Sequence, residues 1–438
     1  MRRGAPGRGL GGALAALATL AMAALPSAAR AAEYSFDLAE VEAKPYEISG
    51  FVEGKAEHFQ LRPDASLYPL NFPGQPPRQT LDRGTASIEL AGKLKHDMLT
   101  GYARVSGSAA HDAYSTDSSA RLLEGGLRIS PAEGLSFDLG KQVQRWGKGY
   151  AWSPVAFFER PKDANDPQNS LEGFVMASAD WVHSRAGPLA AVGFTPLLLP
   201  VSDDVNRDYG ATGHANVGAK VYLLYEDTDI DLLWAAKGSR PQRIGFDFSR
   251  NFGTQIELHG EWARSIGATR RVLGADGAVV SEVQNLDSWL LGARYLTENE
   301  ITWITELYRN GAGYDEAQLA TFYRLLDQAF SMGGGAQAQA LAQSLAQSGY
   351  GRVNPGQRYA YLRVSAKDPF DWLYFTPAIT VIANLGDRSW QVTPELLYTG
   401  WRNVELRARA VLLQGDPLTE YGAKAVERRL ELRLRLYF

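Results

Sequence analysis

Successive side chains of an extended strand project to opposite faces, so a strand lying between an apolar and an aqueous medium reads as strict alternation. The last nine residues, "LELRLRLYF", have that form: Leu430, Leu432, Leu434, Leu436 and Phe438 share one parity, and Glu431, Arg433 and Arg435 the other. Similar amphipathic segments recur along the chain, at 46–60, 82–94, 98–109, 119–130, 134–146, 172–185, 188–199, 213–226 and 228–238. They continue at 241–251, 253–265, 284–297, 300–310, 357–366, 372–385, 389–399, 402–414 and 425–438. The pattern predicts about eighteen strands, sixteen being the other count it admits.

The links alternate as regularly as the strands. Every second one is tight: "KHD" at 95–97, "PAE" at 131–133, "AG" at 186–187, "DT" at 227–228, "NF" at 251–252, "TEN" at 297–299, "KDPFD" at 367–371 and "GWR" at 400–402. Most of those between are long, at 61–81, 147–171, 200–212, 266–283, 311–356 and 415–424, with "GSRP" and "GDRS" the short exceptions. A soluble sandwich has no reason to keep this parity. A transmembrane antiparallel up-and-down β-barrel does, with turns on the periplasmic rim and loops outside.

Side-chain parity agrees in several segments. Val404, Leu406, Ala408, Ala410 and Leu412 form an outer series against inner Glu405, Arg407 and Arg409; Trp289, Leu291, Ala293 and Tyr295 do the same against Ser288 and Arg294. Glu53, Lys55 and Glu57 oppose Val52, Gly54 and Ala56. In "LSFDLGKQVQRW", however, Leu135, Phe137 and Leu139 share parity with Lys141 and Arg145, and two cations facing lipid would each cost some kcal/mol near mid-depth. A bulge near Gly140 would turn them inward.

Composition narrows the class. Arg2, Arg3 and Arg8 precede an apolar run from Leu10 to Leu25, and Ala29-Arg30-Ala31 offers a small-x-small cleavage site, so residues 1–31 read as a secretory signal and 32–438 as the barrel. Past Ala32 no apolar run is long enough for a spanning helix. Without the four arginines of that leader, 41 cationic side chains remain against 49 acidic ones, a net charge of −8 that makes nucleic acid an unsuitable partner. Cysteine is absent, which excludes disulfides, thiolate metal sites and covalent c-type haem, and no cofactor is implied. Ten Trp and twenty Tyr would supply two interfacial girdles.

The ending resembles the β-signal of Gram-negative outer-membrane proteins, in which alternating hydrophobics and a final aromatic are read by the barrel assembly machinery. Phe438, Leu436 and Leu434 match that signal, and the resemblance implies an outer-membrane location with lipid around the barrel. Within the class the chain is similar to eighteen-stranded porin-like groups, the substrate-specific porins and alginate-export-type channels. "LGKQVQRWG" resembles the Gly-basic-Gln stretches of many porins, which implies that Lys141, with Arg145 after it, lines the pore.

Three elements are candidates for function. Loop 147–173 carries Trp152, Phe157 and Phe158 beside Lys148, Arg160, Lys162, Asp163 and Asp166, stiffened by prolines; folded inward it would form a constriction, folded outward a solvated cap. Insertion 311–356 places Leu319, Phe322, Leu326 and Phe330 near helical spacing, followed by a Gly-rich hinge and an Ala-rich segment, hence a helical lid or a mere surface excursion. The closing strands supply an inner ladder of Arg407, Arg409, Arg429, Arg433 and Arg435 interleaved with Glu405, Glu427 and Glu431, joined by Glu53, Lys55 and Glu57 once the barrel closes. Unpaired cations there would attract anions; mutual pairing would only hold the wall.

No enzyme is expected. The six histidines show no metal-type spacing, His183 and Ser184 point apart as strand neighbours, and G-x-S-x-G is absent. The "SDDVNRD" cluster, with Asp203, Asp204 and Asp208, lacks a calcium-loop spacing and reads as a solvated loop. The sequence therefore predicts a monomeric channel for small hydrophilic or anionic solutes. The alternative is a plugged barrel serving as scaffold or binding module in a polysaccharide or electron-transfer assembly.

Overall fold

The structure, a computed structural model, describes residues 44–166, 171–331 and 333–438, so the leader expected at 1–31 lies outside the described residues. Eighteen strands follow in order: β1 (Tyr46–Leu61), β2 (Thr80–His96), β3 (Leu99–Asp112), β4 (Thr116–Ala132), β5 (Leu135–Gln142), β6 (Phe174–Ser184), β7 (Leu189–Val201), β8 (His214–Tyr225) and β9 (Thr228–Ala235). The second half comprises β10 (Gln242–Phe252), β11 (Ile256–Leu273), β12 (Val279–Leu296), β13 (Ile301–Arg309), β14 (Arg358–Ala366), β15 (Phe375–Asn384), β16 (Trp390–Tyr398), β17 (Val404–Gln414) and β18 (Val426–Tyr437). Each strand pairs antiparallel with its sequence neighbours, and β18 pairs with β1 through Glu53↔Arg435 and Glu57↔Glu431, so the ring is closed. No sheet edge is left to solvate, the condition for a β-structure to stand in hydrocarbon.

The burial pattern is inverted relative to a soluble protein. Large apolar side chains such as Phe194, Trp234, Leu258, Leu291, Trp303, Leu396 and Leu432 are exposed on the outward face, while Asp231, Asp247, Glu261, Glu306, Arg409 and Glu431 are buried on the inward one. Alternation in the sequence thus becomes an apolar outer band around a charged lumen.

Two expected features are corrected. Residues 266–283 are not a long loop: β11 and β12 run on past a bulge at Ser265/Ala268 to a five-residue turn at 274–278, making a hairpin that rises above the rim. The β3–β4 link, nine residues between the segments expected at 98–109 and 119–130, is three residues long, at 113–115, because Asp112 closes it by accepting the Tyr114 and Ser115 amides.

The raised hairpin is covered. After the short helix α1 (Tyr68–Asn71) of the β1–β2 loop, insertion 311–356 forms helix α2 (Glu316–Phe330) and helix α3 (Ala336–Leu345), α2 being started by a capping box between Asp315 and Gln318. Leu319, Phe322, Tyr323 and Leu326 of α2 and Leu345 of α3 are buried in one cluster with Val272 and Leu273 of the hairpin and Ala423 of the β17–β18 loop; Leu67 and Leu70 of the β1–β2 loop pack at its margin. The insertion is therefore seated on three neighbouring loops.

Leu432 lies at the middle of β18 and faces out. Leu432→Arg is expected to cost about 2–4 kcal/mol of folding free energy in lipid vesicles, read from urea titrations. Unchanged stability would show that the outward face is not solvated by hydrocarbon.

Candidate functional site

The link between β5 and β6, described over residues 143–166 and 171–173, turns into the lumen. Two wall glycines make room for it: a Cβ on Gly218 of β8 would stand 2.2 Å from the Phe158 ring, and one on Gly245 of β10 would stand 3.0 Å from Val155 and 3.1 Å from Phe157. Both glycines lie on the inward parity, that of Asp247. Phe157, Phe158 and Val155 are fully buried with Phe174, Leu197, Leu199 and Leu233 of the wall, a local apolar core inside an otherwise polar lumen. Trp152 stacks on Tyr308 of β13 with ring centroids 5.1 Å apart.

Carboxylates on one wall hold the loop backbone. Glu261 of β11 accepts the Lys148 and Gly149 amides at 2.7 Å each, the Ser153 hydroxyl at 3.0 Å and the Val155 amide at 3.3 Å. Glu306 of β13 accepts the Tyr150 amide at 2.5 Å and the Ala151 amide at 3.0 Å, and contacts the buried His259 at 3.1 Å. The Lys148 ammonium lies 3.1 Å from Asp231 and 3.8 Å from Asp247. Four consecutive amides aimed at two buried carboxylates satisfy donors that a buried loop would otherwise leave orphaned.

The other end of the loop meets the opposite charge. Asp166 lies 2.8 Å from Arg409, 3.3 Å from Arg433 and 3.7 Å from Arg407, and Gln391 of β16 donates to the Asn165 side chain. Burial pushes the Asp166 carboxyl up, but Arg409, Arg433 and Arg407 overcome it and hold it below the usual carboxylate range. The loop thus spans from an acidic wall at β9–β13 to a basic wall at β16–β18.

That basic wall is itself paired. Arg435 lies 2.7 Å from Glu53, Arg433 2.9 Å from Glu431, Arg409 3.1 Å from Glu395, Arg407 3.0 Å from Glu405 and Arg429 3.4 Å from Glu57. Lys55 meets Glu57 at 3.0 Å, and Arg363 of β14 meets Glu395 at 2.9 Å. Seven cations here face six carboxylates, Asp166 included, leaving one positive charge in excess. The ladder fastens the seam between first and last strands, and no arginine in it stands free.

The remaining loop residues disperse. Lys162 donates to the Gly149 carbonyl at 2.7 Å, bracing the loop internally, and Asp163 accepts the Asn165 amide at 2.9 Å in a turn. Arg160 pairs with Asp208 of the 202–213 loop and lies over the Phe174 ring. Arg145 is exposed beyond the end of β5.

Lys141 is a correction. Gly140 has φ +135°, yet the β5 register runs unbroken through Gly126↔Gly140 and Gly125↔Lys141, so no bulge re-aims the next residue. Lys141 opposes Val175, whose side chain is exposed on the outer surface, and bonds Glu172 at 2.5 Å. It stays at the outer edge of the loop rim, where the strand ends and its ammonium meets a carboxylate rather than mid-depth lipid.

No protein-family model and no curated protein matches this sequence. Solved structures do match in shape. Pseudomonas aeruginosa OccK5 (OpdH) is 12% identical and superposes with a TM-score of 0.50 over 90% of this chain and 98% of its own. A Rhodopseudomonas blastica porin triple mutant follows at 11% identity, TM-score 0.43 and 90% and 100% coverage, and Salmonella typhi OmpF in complex with daunomycin at 11%, 0.42, and 90% and 97%. The fold is that of a porin-like outer-membrane barrel.

The loop's receptors were beyond sequence reading. Glu261 and Glu306 stand on inward parity and could be read as lumen carboxylates, but nothing local says that they grip amides more than a hundred residues away. Gly218 and Gly245 carry no signal apart from interrupting otherwise regular strands.

Gly218→Leu is expected to expel Phe158 and free the loop, seen as new protease cleavage within 143–173 while the barrel remains heat-modifiable on gels. Continued protection would mean that Phe158 does not need that socket. Glu159, buried within the loop and accepting the Trp146 amide, is pushed up to about 8, by burial first and by Glu261 in part, against the opposing pull of Trp146 and Lys162. The folded loop therefore binds this proton more tightly than the unfolded chain, so its contribution is present at low pH and lost as pH rises towards 8. Protection of the Trp146 amide, its exchange rate set against the intrinsic base-catalysed rate, should fall from pH 6 to 9, and Glu159→Gln should remove that fall.

Proposed function

We propose that the chain is a monomeric channel of the Gram-negative outer membrane, exported by the signal at 1–31, through which small hydrophilic solutes diffuse without chemical change. The observation that supports this reading is an eighteen-stranded closed wall whose inner face is polar, since a ring of that size exceeds what its own side chains can fill. Loop 143–173 is held mainly against β8–β18; its ends also bond Arg104 of β3, Glu124 of β4 and Ser178 of β6, and Leu197 and Leu199 of β7 pack on its phenylalanines. The wall from β2 to β7 keeps a hydroxyl-rich lining: among the described residues, no hydrogen bond from the loop reaches Thr85, Ser87, Ser106, Ser108, Ser119 or Thr195. Arg83–Asp112, Arg104–Glu124 and Arg128–Asp138 are paired across the same wall.

On this reading solutes pass between the hydroxyl-lined wall and the loop, and the loop sets the width. The seated helices α2 and α3 act as a fixed cap over one side of the mouth, and the tight-turn rim faces the periplasm. Phe438, Leu436 and Leu434 would serve the assembly machinery. The competing reading, a plugged scaffold, draws on the apolar core that the loop builds inside the barrel.

Purified protein in a planar bilayer decides between them: steady ohmic current is expected, and silence across voltage would favour the plug. Asp166→Asn should raise the excess positive charge of the basic wall from one to two, so the reversal potential in a KCl gradient should shift towards chloride. An unmoved potential would place the ion path away from that wall.

A further inference from the structure

Every arginine of the ladder has a carboxylate partner, but among the described residues a second group of arginines has none. Arg243 lies on the inward face of β10, two residues above the Gly245 socket, with its guanidinium 5.8 Å from the Phe157 ring centre. Arg240, in the β9–β10 link, lies 3.9 Å over the Tyr209 ring and donates to the carbonyls of Tyr209 and Phe157, the latter at 3.4 Å. Both thus border one aromatic shelf, in which Tyr209 stacks on Phe158 at 6.0 Å. Arg352, in the link that follows α3, is exposed and close enough for its charge to bear on both.

Among the described residues no carboxylate lies within 4.0 Å of Arg240, Arg243 or Arg352, although every cation of the basic wall has one. The Arg243 Nε is buried without a hydrogen-bond partner. Burial, followed by the like charge of Arg243, pushes Arg240 down to about 10. Cations withdrawn from water without a counter-charge are costly, and that cost falls when an anion fills the place. An arginine fork suits planar oxyanions, and the aromatic shelf beside it suits an apolar body.

We propose that Arg240, Arg243 and Arg352 form a binding subsite for an anionic solute, a carboxylate or phosphate ester, on the loop-rim side of the 143–173 loop. As the substrate class of the channel, this rests on the diffusion reading; as a binding site, it stands without it. The shelf of Phe157 and Tyr209 favours an anion with an apolar or ring-shaped body over a bare inorganic ion. Arg240 and Arg243 hold the oxyanion, and Arg352 draws it in from the vestibule.

The test uses the full mature chain in detergent, with benzoate and inorganic phosphate as anionic probes and glucose as the neutral one. Benzoate is expected to raise the thermal midpoint of the wild type in a saturable way, phosphate less so and glucose not at all. Arg243→Gln should weaken the benzoate effect at least tenfold in concentration, and Arg243→Lys should restore part of it. If Arg243→Gln does not fold, the exposed Arg352→Gln serves, with a severalfold weakening expected. Equal midpoint shifts in wild type and both variants, or none with either anion, would overturn the subsite. Bilayer current is measured in parallel: a silent barrel that still binds benzoate through Arg243 removes the channel and keeps the subsite. A conducting barrel indifferent to benzoate does the reverse.

Discussion

Everything in this protein depends on the closure of a hydrogen-bonded ring. In hydrocarbon a strand has no water to satisfy its backbone, so each N–H and C=O must find the neighbouring strand, and an open edge is excluded. The pairing of β18 with β1 supplies the last contact, and the charge ladder is concentrated along that seam. Backbone closure and side-chain pairing thus act at the same place: the bonds remove the edge, and Arg435 and Arg429 tie Glu53 and Glu57 across it. Such buried pairs add modest net stability, yet removing one partner leaves an uncompensated charge, so they hold the register firmly.

Closure creates an interior that side chains alone cannot fill, and the chain answers with a loop. Residues 143–173 enter a polar lumen only because their own polar groups are met there. Amides 148–151 find Glu261 and Glu306, Lys148 finds Asp231, and Asp166 finds three arginines. The apolar part, Phe157 with Phe158, is met by glycine sockets and the aliphatic upper wall. Acidic and basic walls thereby find partners in the loop, and the group around Arg243 stands apart by lacking a carboxylate among the described residues.

The outer surface was legible because its rule is local. Lipid on one side and water on the other impose period two on each strand, and the rims impose alternate short and long links, so count, order and facing could be read strand by strand. Errors fell where the rule is silent. The raised β11–β12 hairpin keeps pairing beyond the membrane, where no lipid enforces alternation, so its strands resemble a loop. Lys141 was misread because the cost of cations facing lipid argued for a bulge near Gly140, whereas the register runs unbroken and the strand ends at the rim, where that cost is not met.

The sequence by itself determined the medium, the topology and the parity of almost every strand, since those follow from neighbours two residues apart. Only the tertiary structure decided the lumen. Which carboxylate meets which amide, which glycine yields to which ring, and which arginine is left unpaired are contacts between segments a hundred or more residues apart. Such contacts depend on how far the ring curves before it closes, and no local pattern records that distance.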